Sequence, residues 1–443
     1  MYAPNDDLFP VPEFYTRAAE PSKERAPISD EVVTDVVVIG GGYTGLSAAL
    51  HLAQRGAKVA VLERHSIGWG ASGRNAGQVG PYLKLSPGAA IKVLGEERGQ
   101  RLLNATGTGP QLVFDLVDRY RIGCDLVRNG LLYAAYSAAG VRGIEARLRY
   151  WEDNGTSIRV LDRATAHRLV GSDFYSYVTL EPRGGTINPL GLANGFARAV
   201  EEEGGLVFCN SPVLSVSRVS KGWEVSTPTG RVLAGSLVFA TNAYTTPLLS
   251  SELRASIIPM RAYQLVSKPL SKNVAATILP GGQALTDSRH LFSGVRIYPD
   301  GRLQAGVDGP AFTARGHPYI HKATQRILTL YPQIEKIEWE SYWSGWLAVT
   351  MDQIPHLHDL GNGAWAALGC TGRGIVHSVI QGKELASAIY GTPSSELAIE
   401  VTPVKPALSS RLVPVLVGGL LHYYRAHDYL SGQRSKHSGL LNR

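Results

Sequence analysis

Residues 36 to 63, VVVIGGGYTGLSAALHLAQRGAKVAVLE, constrain the fold of this 443-residue chain more than any other stretch. The stretch begins with a continuous β-branched run, 36–39, which is typical of a parallel strand buried on both faces. Apolar residues at helical spacing over 46–53 predict a helix, and 58–62 predicts a second strand. Between the first strand and the helix lie three glycines with the spacing G-x-G-x-x-G: Gly40, Gly42 and Gly45.

Each part of this unit has a role in binding a dinucleotide. The first glycine permits a tight turn, the second lets the backbone approach a pyrophosphate, and the third lets the helix pack against the sheet. The helix amino terminus offers free N–H groups and a positive dipole to the phosphates. Glu63 ends the second strand, where an acid accepts both hydroxyls of an adenosine ribose and repels a 2′-phosphate. The stretch predicts a dinucleotide site but does not separate FAD from NAD.

The next segment, RHSIGWGASGRNAGQVGPYL (64–83), favours a flavin. Its glycines and other small residues describe a backbone that lies close to something flat or phosphorylated, because such residues minimise side-chain obstruction. In the NAD pattern a further βα unit would follow the acid directly. A nicotinamide-dependent dehydrogenase is therefore the weaker alternative.

Together these segments resemble the D-amino-acid-oxidase-like superfamily of FAD-dependent amine oxidoreductases, within it the branch of γ-glutamylputrescine oxidoreductases and glycine/sarcosine oxidases. The likeness extends from about residue 30 to residue 400, because four further segments resemble the family in the family's order. They are GGTINPLGLANGFARAVEEEGG (184–205), VFCNSPVLSV (207–216), VLAGSLVFATNAYTTPLL (232–249) and WSGWLAVTMDQIPHLHDL…WAALGCTGRGIVHS (343–378).

The resemblance implies FAD as the cofactor. It implies non-covalent binding, because the segment WSGWLAVTMD lacks the cysteine through which sarcosine-oxidase-like members attach FAD, and Cys370 is expected on the strand that follows this segment. A helix that begins after the glycines at 369–374, together with Arg373, would stabilise negative charge on a reduced flavin. The residues expected to hold the cofactor are Gly40, Gly42, Tyr43, Thr44, Gly45, Glu63, Arg64, Gly70, Ala71, Ser72, Gly73, Arg74, Asn75, Gln78, Val213, Thr241, Asn242, Gly369, Gly372, Arg373, Gly374 and Ile375.

The implied reaction is hydride transfer from the carbon beside an amine nitrogen to flavin N5, which gives an imine that water hydrolyses. The cofactor carries the redox chemistry, so the protein needs to supply orientation, a neutral amine and charge stabilisation. Residues expected to line the substrate site are Arg296, Tyr298, Trp346 and Arg373 as catalytic residues, and Lys84, Tyr263 and His377 as substrate contacts.

Departures from the family bear on the substrate. The lysine that such oxidases use to activate oxygen falls at Gln304, and the basic residues that clamp the substrate carboxylate fall near Gly77 and Val376. These replacements favour a larger amine such as γ-glutamylputrescine over a small α-amino acid, and leave the electron acceptor open between oxygen and a quinone or carrier. A cyclic or N-alkyl amino acid such as pipecolate, proline or sarcosine, and a flavin-binding subunit without amine chemistry, stay as alternatives.

The resemblance and the patterns together predict an α/β protein with a Rossmann-like FAD-binding domain and an interleaved substrate domain built on an antiparallel sheet. The cofactor domain is expected in three pieces, 1–90, 165–255 and 325–400, and the substrate domain in two, 91–164 and 256–324. The remainder, 401–443, is expected to be a basic tail with a short apolar helix.

Composition excludes several other classes. The formal charge of +7 comes mainly from the tail, which holds six Lys and Arg against one Asp, so nucleic-acid binding is not predicted. The amino terminus has no signal-peptide pattern, which favours a cytoplasmic protein, and the tail leaves peripheral contact with the cytoplasmic face of a membrane open. Three scattered cysteines predict neither a disulfide framework nor a zinc site, and His356 and His358 lack a third metal ligand.

Overall fold

The computed structural model describes residues 12–18, 23–290, 294–309, 317–407 and 413–437. The beginning of the expected range 1–90, the middle of the expected strand RHLFSGVRIYP and parts of the tail lie outside the described residues.

The strands alternate with helices along much of the chain. The strands are β1 Glu31–Ile39, β2 Val59–Leu62, β3 Gln78–Val79, β4 Leu131–Ala134, β5 Arg159–Val160, β6 Val178–Glu181, β7 Gly185–Thr186, β8 Leu206–Phe208, β9 Ser215–Val219, β10 Gly222–Ser226, β11 Arg231–Phe239, β12 Ile258–Ser267, β13 Ala284–Asp287, β14 Val295–Ile297, β15 Leu303–Gly309, β16 Trp339–Val349, β17 His356–Gly361 and β18 Ala364–Leu368. The helices are α1 Glu13–Ala18, α2 Tyr43–Ala53, α3 Pro87–Leu94, α4 Glu96–Arg119, α5 Ala138–Asp153, α6 Arg163–Val170, α7 Pro189–Glu202, α8 Ser251–Ala255, α9 Lys272–Ala275, α10 His317–Leu330, α11 Gly374–Ile389 and α12 Val413–His437.

The first sheet has the order β17-β18-β11-β1-β2-β8, and β9 and β10 extend it beside β11. β1 runs parallel to both β2 and β11. Val36 and Val38 pack with α2, α7 and α11 on one face, while Val37 and Ile39 pack with Trp346 of β16 on the other. The expected central strand, buried on both faces and followed by a glycine turn and a helix, is therefore present.

The second sheet has the order β16-β12-β15-β14-β13-β4-β6-β5 and is antiparallel except where β13 pairs with β4. β12, β14 and β15 fall where the sequence predicts antiparallel strands. β6 and β16 lie inside the ranges expected for the cofactor domain, yet their hydrogen bonds join them to this second sheet. Strand pairing thus interleaves the two parts of the chain more finely than the five expected ranges.

Part of the tail forms the helix α12, which has 25 residues where the sequence analysis expects a short helix. It contacts the second sheet's domain through Asp428 and His290 and through Gly432 and Tyr136. Among the described residues, none of the helices combines the length and the apolar character needed to cross a membrane.

Helices α2 and α11 cross at a close contact that Gly382 permits. A Cβ atom at Gly382 would lie 2.5 Å from the Cβ of Ser47 and 2.6 Å from the backbone oxygen of Thr44.

We expect Gly382→Ala to lower the free energy of unfolding by about 1–3 kcal/mol, because this backbone contact cannot accept a methyl group without moving a helix. Gly143→Ala is the matched control, since Gly143 lies in α5 with nothing within 4 Å of its added Cβ; helix propensity predicts a gain of up to about 1 kcal/mol there. Thermal unfolding of both variants checks this, and equal midpoints would contradict it.

Candidate active site

A cavity of about 400 Å³ opens where β1, β2 and β11 end. Its walls come from the glycine turn after β1, the acid after β2, the loop that follows it and the turn after β11. The predicted cofactor residues that line it are Gly40, Gly42, Tyr43, Thr44, Glu63, Arg64, Gly70, Ala71, Ser72, Val213, Thr241 and Asn242, together with the predicted catalytic residue Trp346. One cavity therefore brings together residues that lie up to about three hundred positions apart in the sequence.

The glycines shape the cavity's floor as a cradle. Gly40 has a φ of +114°, and a Cβ there would lie 2.9 Å from the carbonyl oxygen of Ala240. Gly42 precedes the first turn of α2, and a Cβ at this position would lie 2.9 Å from Ser72 Oγ. The backbone N–H of Tyr43 donates to Ser72 Oγ at 3.0 Å. Gly42, Tyr43 and Thr44 line the cavity, so the amino terminus of α2 faces it, with the Tyr43 N–H already bonded to Ser72, and this placement fits a pyrophosphate.

Two backbone N–H groups hold the carboxylate of Glu63 in place. Its Oε2 accepts from the N–H of Gly41 at 2.7 Å, and its Oε1 accepts from the N–H of His65 at 2.9 Å. Burial raises the pKa of Glu63, partly offset by these two hydrogen bonds. Each carboxylate oxygen keeps a second lone pair, so both can accept from ribose hydroxyls as the sequence predicts.

The rest of the small-residue loop folds against itself beside the cavity. A Cβ at Gly73 would lie 2.5 Å from the oxygen of Gly68. Arg74 is buried, donates from Nε to the oxygen of Trp69 at 2.6 Å and stacks on that ring at 4.8 Å. Asn75 donates to the oxygen of Ser72 at 2.8 Å. Gly73, Arg74, Asn75 and Gln78 therefore lie outside the cavity lining and support the loop that forms it.

The turn before α11 is attached to the cavity through Asn242. Asn242 adopts a φ of +44°, accepts from the N–H of Gly369 at 3.1 Å, and lies 3.5 Å from the sulfur of Cys370. Burial raises the pKa of the Cys370 thiol. Gly369, Gly372, Arg373, Gly374 and Ile375 do not line the cavity, but Ser378 in the first turns of α11 does.

Arg296 lies on β14 against the loop that leaves the cavity. Its side chain is buried, and its Nη1 donates to the oxygen of Ile187 at 2.7 Å and lies 2.6 Å from where a Cβ of Gly77 would be. Its guanidinium stacks on Tyr298 at 4.3 Å. The Nε atom is buried and has no hydrogen-bond partner among the described residues. Arg296 and Tyr298, two residues that the sequence analysis expects at the substrate site, are thus in contact, and neither of them lines the cavity.

Tyr15 of α1 enters this region, which the sequence analysis missed. Its hydroxyl donates to the oxygen of Asn75 at 2.8 Å and accepts from Gln304 Nε2 at 2.9 Å. Gln304 Oε1 accepts from the Tyr298 hydroxyl at 2.6 Å. The signal in the sequence is weak, because one tyrosine in a short amino-terminal segment carries no periodicity that reveals its distant partners.

The remaining candidates occupy different surroundings. His377 is buried, its Nε2 has no hydrogen-bond partner among the described residues, and burial lowers its pKa to about 4. Arg373 precedes α11 and lies 5.9 Å from the ring of Tyr82. Tyr263 packs with apolar residues beside α10, and Lys84 is exposed, so neither lines the cavity. Neither His356 nor His358 is among these candidates. His356 is hydrogen-bonded to Asp352 and to the hydroxyl of Thr402, and His358 is hydrogen-bonded to the carbonyl oxygen of Thr402.

We expect Glu63→Gln to weaken dinucleotide binding about tenfold to a hundredfold, since a hydrogen bond to a charged group contributes about 1.5–3 kcal/mol. The control is Glu31→Gln, at an exposed acid that pairs with Arg231 at the start of β1. Titration of each apoprotein with FAD, followed by quenching of the flavin fluorescence, measures both. Unchanged affinity in Glu63→Gln would contradict the assignment of Glu63 to the ribose.

Comparison with known proteins gives a family that accounts for this cavity. The family model described as FAD dependent oxidoreductase (DAO) matches residues 35–388. γ-Glutamylputrescine oxidoreductase of Escherichia coli (strain K12) is 29% identical over 414 residues, which are 93% of this chain and 96% of that protein.

Solved structures share the fold. Glycine oxidase from Geobacillus kaustophilus superposes with a TM-score of 0.68 at 22% identity, over 82% of this chain and 96% of that one. L-Proline dehydrogenase from P. horikoshii superposes with a TM-score of 0.69 at 19% identity, over 84% and 96%. The α/β class with a second antiparallel sheet, and FAD as the cofactor, are confirmed. This chain belongs to the DAO family of FAD-dependent oxidoreductases.

Proposed function

We propose that this enzyme oxidises the C–N bond of an amine that carries a carboxylate, with γ-glutamylputrescine or a similar larger amine favoured. FAD supplies the hydride acceptor for this reaction. The chain's own residues hold the substrate, exclude water and keep the amine nitrogen neutral. The observation that carries the proposal is the buried guanidinium of Arg296.

Arg296 requires a negative partner. In the part of the chain that the structure describes, its guanidinium forms no ion pair with a carboxylate. It contacts the carbonyl oxygen of Ile187 and the ring of Tyr298. Burying a charge without a counter-charge is unfavourable, and a substrate carboxylate would supply that charge with paired hydrogen bonds. The Nε atom without a partner is a donor that such a carboxylate can take.

The position of Arg296 accounts for the absence of a basic residue near Gly77, where the family resemblance would place one of the residues that bind the substrate carboxylate. Its guanidinium occupies the space into which a side chain at Gly77 would extend. Position 376 supplies no charge either, because Val376 is apolar and its Cγ1 packs against Gly109 of α4. The carboxylate anchor is thus supplied by β14 of the second sheet. The E. coli relative is named for γ-glutamylputrescine, a compound with a carboxylate far from its terminal amine, and this supports a larger substrate.

His377 suits an amine substrate. Burial lowers its pKa to about 4, so the imidazole is neutral at physiological pH. A neutral imidazole does not repel a substrate ammonium, and with so low a pKa His377 is a polar contact for the amine rather than the base that deprotonates it.

The test is anaerobic reduction of the purified yellow protein by single additions of putrescine, γ-glutamylputrescine, sarcosine, pipecolate, proline and glycine. Bleaching of the flavin band by γ-glutamylputrescine, faster than by any other addition, is the expected result. Bleaching by pipecolate, proline or sarcosine alone would instead establish the second candidate, an oxidoreductase of cyclic or N-alkyl amino acids, which also carry a carboxylate. A bound flavin that no amine reduces would leave a flavin-binding subunit without amine chemistry.

Admitting air to the reduced protein distinguishes an oxidase from a dehydrogenase. Gln304 is neutral and its amide is bonded to Tyr15 and Gln264. In the resemblance given above, position 304 is where related oxidases carry the lysine that activates oxygen, and this chain has glutamine there. We therefore expect slow reoxidation of the flavin by air and fast reoxidation by a quinone. Fast reoxidation by air would contradict this.

Arg296→Met tests the carboxylate anchor. We expect the KM of the best substrate to rise about tenfold or more, while the KM of its analogue with an amide in place of the carboxylate stays unchanged. Arg302→Met is the control, since Arg302 lies on the same hairpin and pairs with Asp300 and Glu340. An equal loss with both substrates would show that Arg296 has a structural role only.

A further inference from the structure

Helix α12 meets the second sheet's domain at Asp428. This side chain is buried, and its two carboxylate oxygens accept from the backbone N–H of His290 at 3.3 and 3.1 Å. Its Oδ1 also lies 2.9 Å from Nδ1 of the His290 ring. The carboxylate is therefore held in one orientation by the segment that follows β13.

A second imidazole faces the same carboxylate. Nδ1 of His427 lies 3.8 Å from Asp428 Oδ1, is buried, and has no hydrogen-bond partner among the described residues. The ring of His427 stands edge-on to that of His290 at 5.0 Å, and Tyr424 stacks on the other ring at 4.3 Å. Two ring nitrogens and one carboxylate oxygen thus converge, all within 4.8 Å of one another.

We propose that His290, His427 and Asp428 bind a divalent transition-metal ion, with Zn²⁺ favoured. In a tetrahedral zinc site, bonds of about 2.0–2.2 Å place neighbouring ligand atoms about 3.3–3.6 Å apart. The two measured separations from Asp428 Oδ1, 2.9 and 3.8 Å, bracket that spacing. The third separation, between the two ring nitrogens, is at most 4.8 Å, so binding an ion would draw the imidazoles together by up to about 1.5 Å.

The donor set selects the kind of ion. Two imidazole nitrogens and one carboxylate oxygen suit zinc and its neighbours, whereas calcium and magnesium prefer oxygen ligands. Asp428 also lines a cavity of about 410 Å³, which gives water or a small anion access to the fourth position. Lys322, Arg326 and Arg425 line the same cavity, so an anionic fourth ligand is favoured there.

The ion would fasten the carboxy-terminal helix to the body of the enzyme. Asp428 and His427 belong to α12, and His290 belongs to the segment after β13, so one ion bridges two elements that are far apart in the sequence. This role is independent of the amine substrate, because none of the three residues lines the cofactor cavity.

The experiment uses the full-length holoenzyme, stripped with EDTA, equilibrated with ZnCl₂ alone and freed of unbound metal by gel filtration. We expect one zinc per chain by mass spectrometry of the metal, and a rise in the thermal unfolding midpoint with zinc. His427→Gln and Asp428→Asn should lose both the stoichiometric zinc and the rise. His422→Gln, an exposed histidine on the same helix outside the cluster, should keep both.

Two results would overturn the proposal: absence of stoichiometric zinc in the wild-type protein, or zinc retained equally in His427→Gln and Asp428→Asn. His427→Gln is the decisive variant, because the His427 Nδ1 atom has no hydrogen-bond partner among the described residues, so the substitution breaks no hydrogen bond seen there. A normal flavin spectrum in that variant confirms that it is folded, and amine-dependent bleaching stays a separate measurement.

Discussion

The close approach of helix α2 to the ends of β1 and β11 is the constraint on which the cofactor site depends. A Cβ at Gly45 would lie 2.0 Å from the oxygen of Gly40 and 3.2 Å from the Cβ of Ala240. Glycine inside a helix costs about 1 kcal/mol relative to alanine, and this contact offsets that cost by placing the helix amino terminus at the sheet's edge. Glu63 and Thr241 then reach the same cavity because β2 and β11 flank β1 in register.

A second set of contacts joins the second sheet to the small-residue loop that follows β2. Trp343 of β16 donates to the oxygen of Arg74 at 2.8 Å, and Tyr15 donates to the oxygen of Asn75. Through Gln304, Tyr15 is also bonded to Tyr298, the ring on which Arg296 stacks. The Arg296 guanidinium is therefore positioned by a series of neutral, buried hydrogen bonds that begins at the small-residue loop after β2. Helix α1 takes part in this series through Tyr15.

The sequence predicted the first βαβ unit because its residues are dictated by backbone contacts that allow few alternatives. Gly40 needs a positive φ, Gly45 touches a backbone oxygen, and Glu63 receives two N–H groups. The pairing of β6 and β16 with the second sheet could not be read in the same way. Their sequences indicate strands, but the partner of a strand depends on the path of the whole chain, and no local pattern records it.

The same reasoning explains why the substrate side is harder to predict than the cofactor side. The cofactor performs the electron transfer, so the chain needs to provide only orientation and charge, and several side chains can do that from several strands. Basic residues expected near Gly77 and Val376 are absent, yet Arg296 delivers a guanidinium to the space beside Gly77 from β14. Under the proposed function, the site keeps a charge that positions 77 and 376 of the sequence lack. The sequence places Arg296 on a strand, but that its guanidinium lies buried beside Gly77 is visible only in the three-dimensional structure.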